Sequence, residues 1–176
     1  CLPEATFLGC SNLKIVHLNE TLARIGPSAF MNTGLEELYV PPSVRHVGAG
    51  LCKDTPLKKV TLFCNAAAYA FYRCDRLQVV KFYGNTIGQD AFYGTKSLRS
   101  IDLRRVRLIS SGAFSHSGLR GTLLLNGVVC SHAFLNNRYL TVAVLGPHTA
   151  LLPRAFASCE RLMTALTDNS LNTNYE

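Results

Sequence analysis

No stretch of the chain approaches the run of about eighteen apolar residues that a membrane-spanning helix needs, so no such helix is expected. No signal peptide is visible either. Charge is scarce: Asp, Glu, Lys and Arg together make up 16% of the 176 residues. The surplus of bases, a formal +7, is spread along the chain and is densest at Arg104, Arg105 and Arg107. So thin a distribution reads as a solvated face that aids solubility, and no nucleic acid partner is expected. Cys-x-x-Cys, zinc-ligand spacing and His-Glu-x-x-His are all missing, so neither a metal nor a cofactor is expected. Val47-Gly48-Ala49-Gly50 has no third glycine and no following helix, and it is not a phosphate loop.

What the chain does contain is a repeat. Phe7, Phe30, Cys52, Phe71, Phe92, Phe114, Phe134 and Phe156 return at intervals of 23, 22, 19, 21, 22, 20 and 22 residues. An aliphatic frame travels with them, as in Ile25…Phe30…Leu35…Leu38…Val40 and Ile87…Phe92…Leu98…Ile101…Leu103. In the sixth and seventh copies the frame reads Ile109…Phe114…Leu119…Thr122…Leu124 and Val129…Phe134…Leu140…Ala143…Leu145. A fixed period near twenty residues is the mark of a solenoid, in which each coil buries its apolar edge against its neighbours. The expected domain is a single solenoid of about eight repeats over 2–167, followed by a polar tail at 168–176. Leu2 already fills the first slot, and no polar capping repeat stands at either end, so a processed or trimmed piece of something longer is expected. Cys1 has two readings: a lipid-bearing residue left by lipoprotein processing, which would bring a membrane into play, or simply the place where the ordered region begins.

The segment Leu13-Lys14-Ile15-Val16-His17-Leu18 alternates, with Val16 and Leu18 inward and Ile15 and His17 outward. Stacked copies must run parallel, because every coil enters in the same direction. The expected fold class is therefore α/β: a curved solenoid with a parallel β-sheet on its concave side. Ile-Gly-x-x-Ala-Phe fills the convex side and is too short for a full α-helix, so one turn of 3₁₀ or α-helix with extended pieces is expected there. Gly26, Gly48 and Gly88 follow the aliphatic anchor, where a tight corner is expected. Three of the seven cysteines (Cys10, Cys74, Cys159) share the slot three after the phenylalanine. They lie three or more repeats apart, roughly 14 Å at about 4.8 Å per repeat, too far for a disulfide. They read as small buried hydrophobes.

The motif Ile-Gly-x-x-Ala-Phe-x-x-Cys-x-x-Leu-x-x-Val-x-Leu-Pro resembles the repeat of the BspA-like, or treponemal-type, leucine-rich repeat family. Ile25 to Pro41 matches it nearly throughout, with Thr33 in the Cys slot and Gly34 standing for two residues. Phe7 to Leu13 and Phe156 to Leu162 match its Phe-to-Leu part. The asparagine ladder of more familiar leucine-rich repeats is absent from the slot three after the strand, which holds Thr21, Ser43, Asn65, Asn85, Val106 and Gly127. The resemblance implies a leucine-rich-repeat solenoid that is secreted or on a microbial surface (extracytoplasmic) and binds partners, often in adhesion to host matrix or other cells. It implies no catalytic residues and names no ligand.

Two ligand surfaces are expected on the concave face. One is an apolar pocket centred on Leu123, Leu125, Val142 and Val144, extended by Leu166 and deepened by Gly121. In this segment Leu123-Leu124-Leu125 allows either face, and a slip of one residue flips every side chain. The other joins Tyr39, Phe63 and Tyr83 with Lys59 and Lys81, a set able to stack sugars or bases or to anchor a protein. The partner is accordingly a protein or peptide on the concave face. A hydrophobic small molecule in the apolar pocket is a second reading, and burial of that face in a larger assembly a third. No enzyme is expected. His17 and Asp102, in one row, stand four repeats or roughly 19 Å apart, beyond proton-transfer reach. In Cys130-Ser131-His132 the cysteine follows the buried Val129.

Overall fold

The computed structural model describes residues 1–167; the side chain of Leu166 and the tail 168–176 lie outside the described residues. Its strands are β1 Arg24–Ile25, β2 Glu37–Val40, β3 His46–Val47, β4 Lys59–Leu62, β5 Val79–Phe82 and β6 Thr86–Ile87, then β7 Leu108–Ile109, β8 Arg120–Leu125, β9 Val128–Val129, β10 Tyr139–Leu145, β11 Ala150–Leu151 and β12 Thr164–Thr167. Every pairing among them is parallel. The longer strands make two three-stranded sheets, β2-β4-β5 and β8-β10-β12. The short strands pair at the aliphatic anchor slot, as β1-β3 and β6-β7-β9-β11. Isolated bridges extend that ladder, Leu2 to Ile25 and Ala66 to Ile87. The molecule is thus a parallel β-solenoid, held by side-by-side stacking of like residues.

The phenylalanines form the spine of the core. Phe30, Phe71, Phe92, Phe114 and Phe134 are fully buried. Phe71, Phe92, Phe114, Phe134 and Phe156 stack in one near-parallel column with centroids 5.0–5.3 Å apart, within the range aromatic pairs favour. Cys52 interrupts the column in repeat three. There Leu51 stands where the other repeats from two to eight hold Ala29, Ala70, Ala91, Ala113, Ala133 and Ala155. Leu51 and Cys52 are both fully buried, so the small-large pair is replaced by a large-small one.

The expected one-turn helix on the convex side is not there: among the described residues the Ala-Phe segment is all turn. The reason lies in the backbone. In every repeat the residues two before and two after the phenylalanine slot have positive φ: Ala5 and Gly9, Ser28 and Asn32, Gly50 and Asp54, Tyr69 and Arg73, Asp90 and Gly94, Gly112 and His116, His132 and Asn136, Arg154 and Ser158. A left-handed residue on each side stops a right-handed helix. It also turns the amides sideways. The N–H groups of Phe7, Phe30, Cys52, Phe71, Phe92, Phe114 and Phe134 each donate to a carbonyl of the next repeat, at 2.7–2.9 Å. Backbone donors that a helix would satisfy internally are satisfied here by the neighbouring coil.

A buried polar ladder runs beside this spine, three residues after the phenylalanine. Thr33, Thr55 and Thr95 donate their hydroxyls to the carbonyls of Phe30, Cys52 and Phe92, all at 2.8 Å. Asn137 Nδ2 donates to Phe114 O at 2.7 Å and Phe134 O at 2.9 Å. The cysteines in this slot do the same across repeats: Cys74 Sγ donates to Cys52 O at 3.0 Å and Cys159 Sγ to Phe134 O at 3.1 Å. They are therefore hydrogen-bond donors rather than plain small hydrophobes, and Cys10, in the same slot, is exposed. The glycine after the anchor serves close approach. A Cβ on Gly48 would collide with the backbone of Pro27 in the preceding repeat.

Two irregularities shape the sheet face. Repeat five supplies the anchor strand β6 but no strand to the sheet face, although Leu98 and Leu103 are buried in frame. There the Asp102 carboxylate takes the N–H of Arg104 at 3.1 Å and its guanidinium at 2.7 and 3.0 Å, a local bond that competes with ladder pairing. In repeat six the register differs from the expected frame by one residue. Leu123 and Leu125 are 3% and 2% exposed, whereas Leu124 is 39% exposed. Two leucines in the core instead of Leu124 and Thr122 gain roughly 1–2 kcal/mol of burial. Gly121, at φ +73, accommodates the shift, next to a β8-β10 register irregularity between Leu140 and Val142.

Candidate functional site

The face of β2, β4 and β5 holds an aromatic cluster. Strand alternation sends Leu38, Val40, Val60 and Leu62 into the core and leaves Glu37, Tyr39, Lys59, Val79 and Lys81 outside. Tyr39 meets Phe63 edge-on at 6.0 Å, and Phe63 stacks on Tyr83 at 4.6 Å and 5°. The three rings, expected on one surface, are thus in direct contact, with Tyr39 50% and Tyr83 56% exposed. Lys59 pairs with Glu37 at 3.5 Å and Lys58 with Glu36 at 2.7 Å. The hydrogen bond and charge of Lys58 hold the Glu36 carboxyl below its ordinary range. Lys81 is exposed on β5 beside the rings' strand ends. Stacked rings lose little rotamer freedom when a partner covers them, which makes such a cluster a natural anchor.

The second expected surface changes composition. Leu123 and Leu125 belong to the core and offer nothing to a ligand. The reason is the one-residue slip at Gly121, which brings Leu124 outward in their place. Leu124 pairs in register with Val144, and Thr122 with Val142, both valines half-buried. Leu166 pairs with Val144 through the backbone, but its side chain is outside the described residues. Gly121, expected to deepen a pocket, is the left-handed residue of the shifted segment instead. At the start of β10 the exposed Tyr139 lies between Arg120 at 5.1 Å and Arg161 at 5.7 Å. This cation–π clamp was not anticipated, because Arg120 opens β8 while Arg161 lies before β12, and only the stacking aligns them.

The residues weighed for chemistry remain apart. His17 is exposed, while Asp102 is tied to Arg104. His116 Nδ1 bonds Asn136 Nδ2 at 2.9 Å. All seven cysteines are free thiols. Burial pushes the thiols of Cys52, Cys64, Cys74 and Cys159 above their ordinary range, Cys74 to about 11, which suppresses the thiolate a nucleophile needs. Among the described residues no group of three or more His, Cys, Asp or Glu side chains is placed to hold a metal.

Parallel coils of about twenty residues, an aliphatic ladder and exposed strand faces define the class of leucine-rich-repeat solenoid proteins. The model of the BspA type leucine rich repeat region matches residues 1–58 and 65–174 in six copies, and the chain belongs to that family. Among solved structures it is similar to a leucine-rich repeat protein from Bacteroides ovatus ATCC 8483, with 17% identity and a TM-score of 0.60 over 92% of this chain and 51% of that one. It is also similar to the pneumococcal vaccine antigen PcpA, with 19% identity and a TM-score of 0.49 over 82% of this chain and 48% of that one. The chain thus spans about half the length of these two proteins. No curated protein matches it.

Proposed function

We propose that the chain is a non-enzymatic interaction module, secreted or on a cell surface, that holds a protein or peptide partner on the exposed face of its longer strands. The observation that carries this reading is the contact cluster Tyr39–Phe63–Tyr83, two of whose rings are half-exposed on a rigid sheet. Family membership supports a binding rather than a catalytic role, and an adhesion-type partner fits it. The outward strip Leu124, Val142 and Val144 extends the same face. With Leu123 and Leu125 in the core, that strip suits a partner chain laid across it better than an enclosed small molecule.

A random-peptide display library selected on the whole chain tests the reading. Enriched peptides should lose at least tenfold in affinity for the Tyr39→Ser/Tyr83→Ser variant, while its far-ultraviolet circular dichroism stays unchanged. Selection of no peptide, or of peptides indifferent to the double substitution, refutes it.

A further inference from the structure

A sizeable groove lies away from the strand face. It lies on the flank, where the turns after the phenylalanine slots of repeats three to six meet, and it measures about 740 Å³. Its notch has a sequence cause. The slot two after the phenylalanine holds Arg73 in repeat four and His116 in repeat six, but Gly94 between them. All three have positive φ, so the column is continuous in backbone and lacks only the middle side chain.

The lining is polar and specific in what it leaves free. Tyr72 and Tyr93 stack at 4.8 Å and 12°. Lys53 lies 5.2 Å from the Tyr72 ring, and His116 packs 5.2 Å from Tyr93. Tyr72 and Tyr93 therefore spend one face on each other and meet Lys53 and His116 besides, which disfavours a stacked base. Arg73 is committed to Asp54 at 3.4 Å. Arg76 and Lys96 are exposed at the rim and make no ion pair within 4.0 Å among the described residues, Arg76 adding only a minor charge effect on Glu36, and Asp75 stands exposed beside them. Pro56 is the single aliphatic group in the lining, so an apolar anchor has nothing to fill. What remains is two cations, one carboxylate and tyrosine hydroxyls: donors for an acid, acceptors for hydroxyl groups.

We infer that this flank groove is a binding site for an acidic saccharide, its carboxylate held by Arg76 and Lys96 and its hydroxyls by Asp75 and the tyrosines. The site is separate from the strand face and goes beyond the function proposed above.

Calorimetric titration of the whole chain with a polyuronate tetrasaccharide tests it, with the carboxyl-reduced neutral sugar and a glutamate tetrapeptide as controls. The polyuronate should bind at least tenfold more tightly than either control. Arg76→Gln/Lys96→Gln should weaken it at least tenfold. Gly94→Asn should do the same by filling the notch without unfolding the turn, since Asn32 and Asn136 occupy that slot at φ 56 and φ 60 in repeats two and seven. Tyr39→Ser/Tyr83→Ser should leave it unchanged. Absence of polyuronate binding overturns the inference. So does equal binding of the peptide, which would make this an acidic-peptide site, or of the neutral sugar. Binding that ignores both groove variants and fades with salt would reflect the net charge of the chain alone, and overturns it as well.

Discussion

The left-handed backbone at Gly121 decides which leucines of repeat six enter the core. A Cβ there meets nothing within 4 Å, so replacement by alanine tests φ without sterics. Gly121→Ala should cost about 1 kcal/mol, the left-handed penalty less the entropy gained in the unfolded chain. Gly121→Asn should recover most of that loss, with urea midpoints as the measurement. The buried thiols give a second residue-scale test. Cys74 stays neutral in the fold, with a pKa raised to about 11 by burial, and titrates near its ordinary value of 9.0 once unfolded. A raised folded pKa means its contribution is whole below about pH 9 and is lost as pH climbs toward 11, by about 2–3 kcal/mol in all. Stability should fall over that window, and Cys74→Ser, which keeps the donor to Cys52 O without titrating there, should flatten the fall. At this scale the sequence misled where one letter has two uses. Three adjacent leucines carry no phase, and a cysteine looks the same whether its S–H donates or merely fills space.

Within one coil, the phenylalanine slot and the residue before it are matched by volume. Leu51-Cys52 replaces Ala-Phe, so the two positions are expected to be coupled. Cys52→Phe alone should overpack and cost about 1–3 kcal/mol, and Leu51→Ala alone about 2–5 kcal/mol. The double variant restores the pattern of the neighbouring repeats and should cost less than the sum by at least about 1 kcal/mol, read from a thermal or urea double-mutant cycle. The strands were legible because alternation at Glu37–Val40 and Lys59–Leu62 maps directly onto burial. The convex segment was not. Propensity says nothing of Tyr69 or Arg154 taking φ 58 and φ 62, where neighbouring coils hold them: Tyr69 N–H donates to Gln89 O at 2.8 Å, and Arg154 O accepts from His132 N–H at 3.3 Å. For the same reason the missing sheet-face strand of repeat five was unreadable: Asp102 and Arg104 look like ordinary outward residues until the carboxylate is seen on the Arg104 amide.

For the molecule as a whole, the phenylalanine period was sufficient to reveal the stacking, since no other arrangement buries so regular a column. Of the candidate surfaces, the Tyr39–Phe63–Tyr83 group was legible by counting slots, while the flank groove was not, because it depends on a side chain that is missing at Gly94. Stability in such a stack is close to a sum of coil and interface contributions, and the interfaces are unequal. Coils four to six join through the Ala66–Ile87 bridge, the short anchor strands β6 and β7 and the phenylalanine-slot amides, without strand pairing on the broad face. Hydrogen–deuterium exchange should therefore find amides of the 98–107 segment opening before those of β4 or β10.

Because each β-bridge in the molecule points along the direction of stacking, a load applied between the two ends stretches those bonds head-on rather than shearing many at once. The solenoid should then give way one seam at a time, first beside repeat five, lengthening at low and nearly steady force in an optical trap. A stack built this way should absorb work by lengthening before all of its seams have parted.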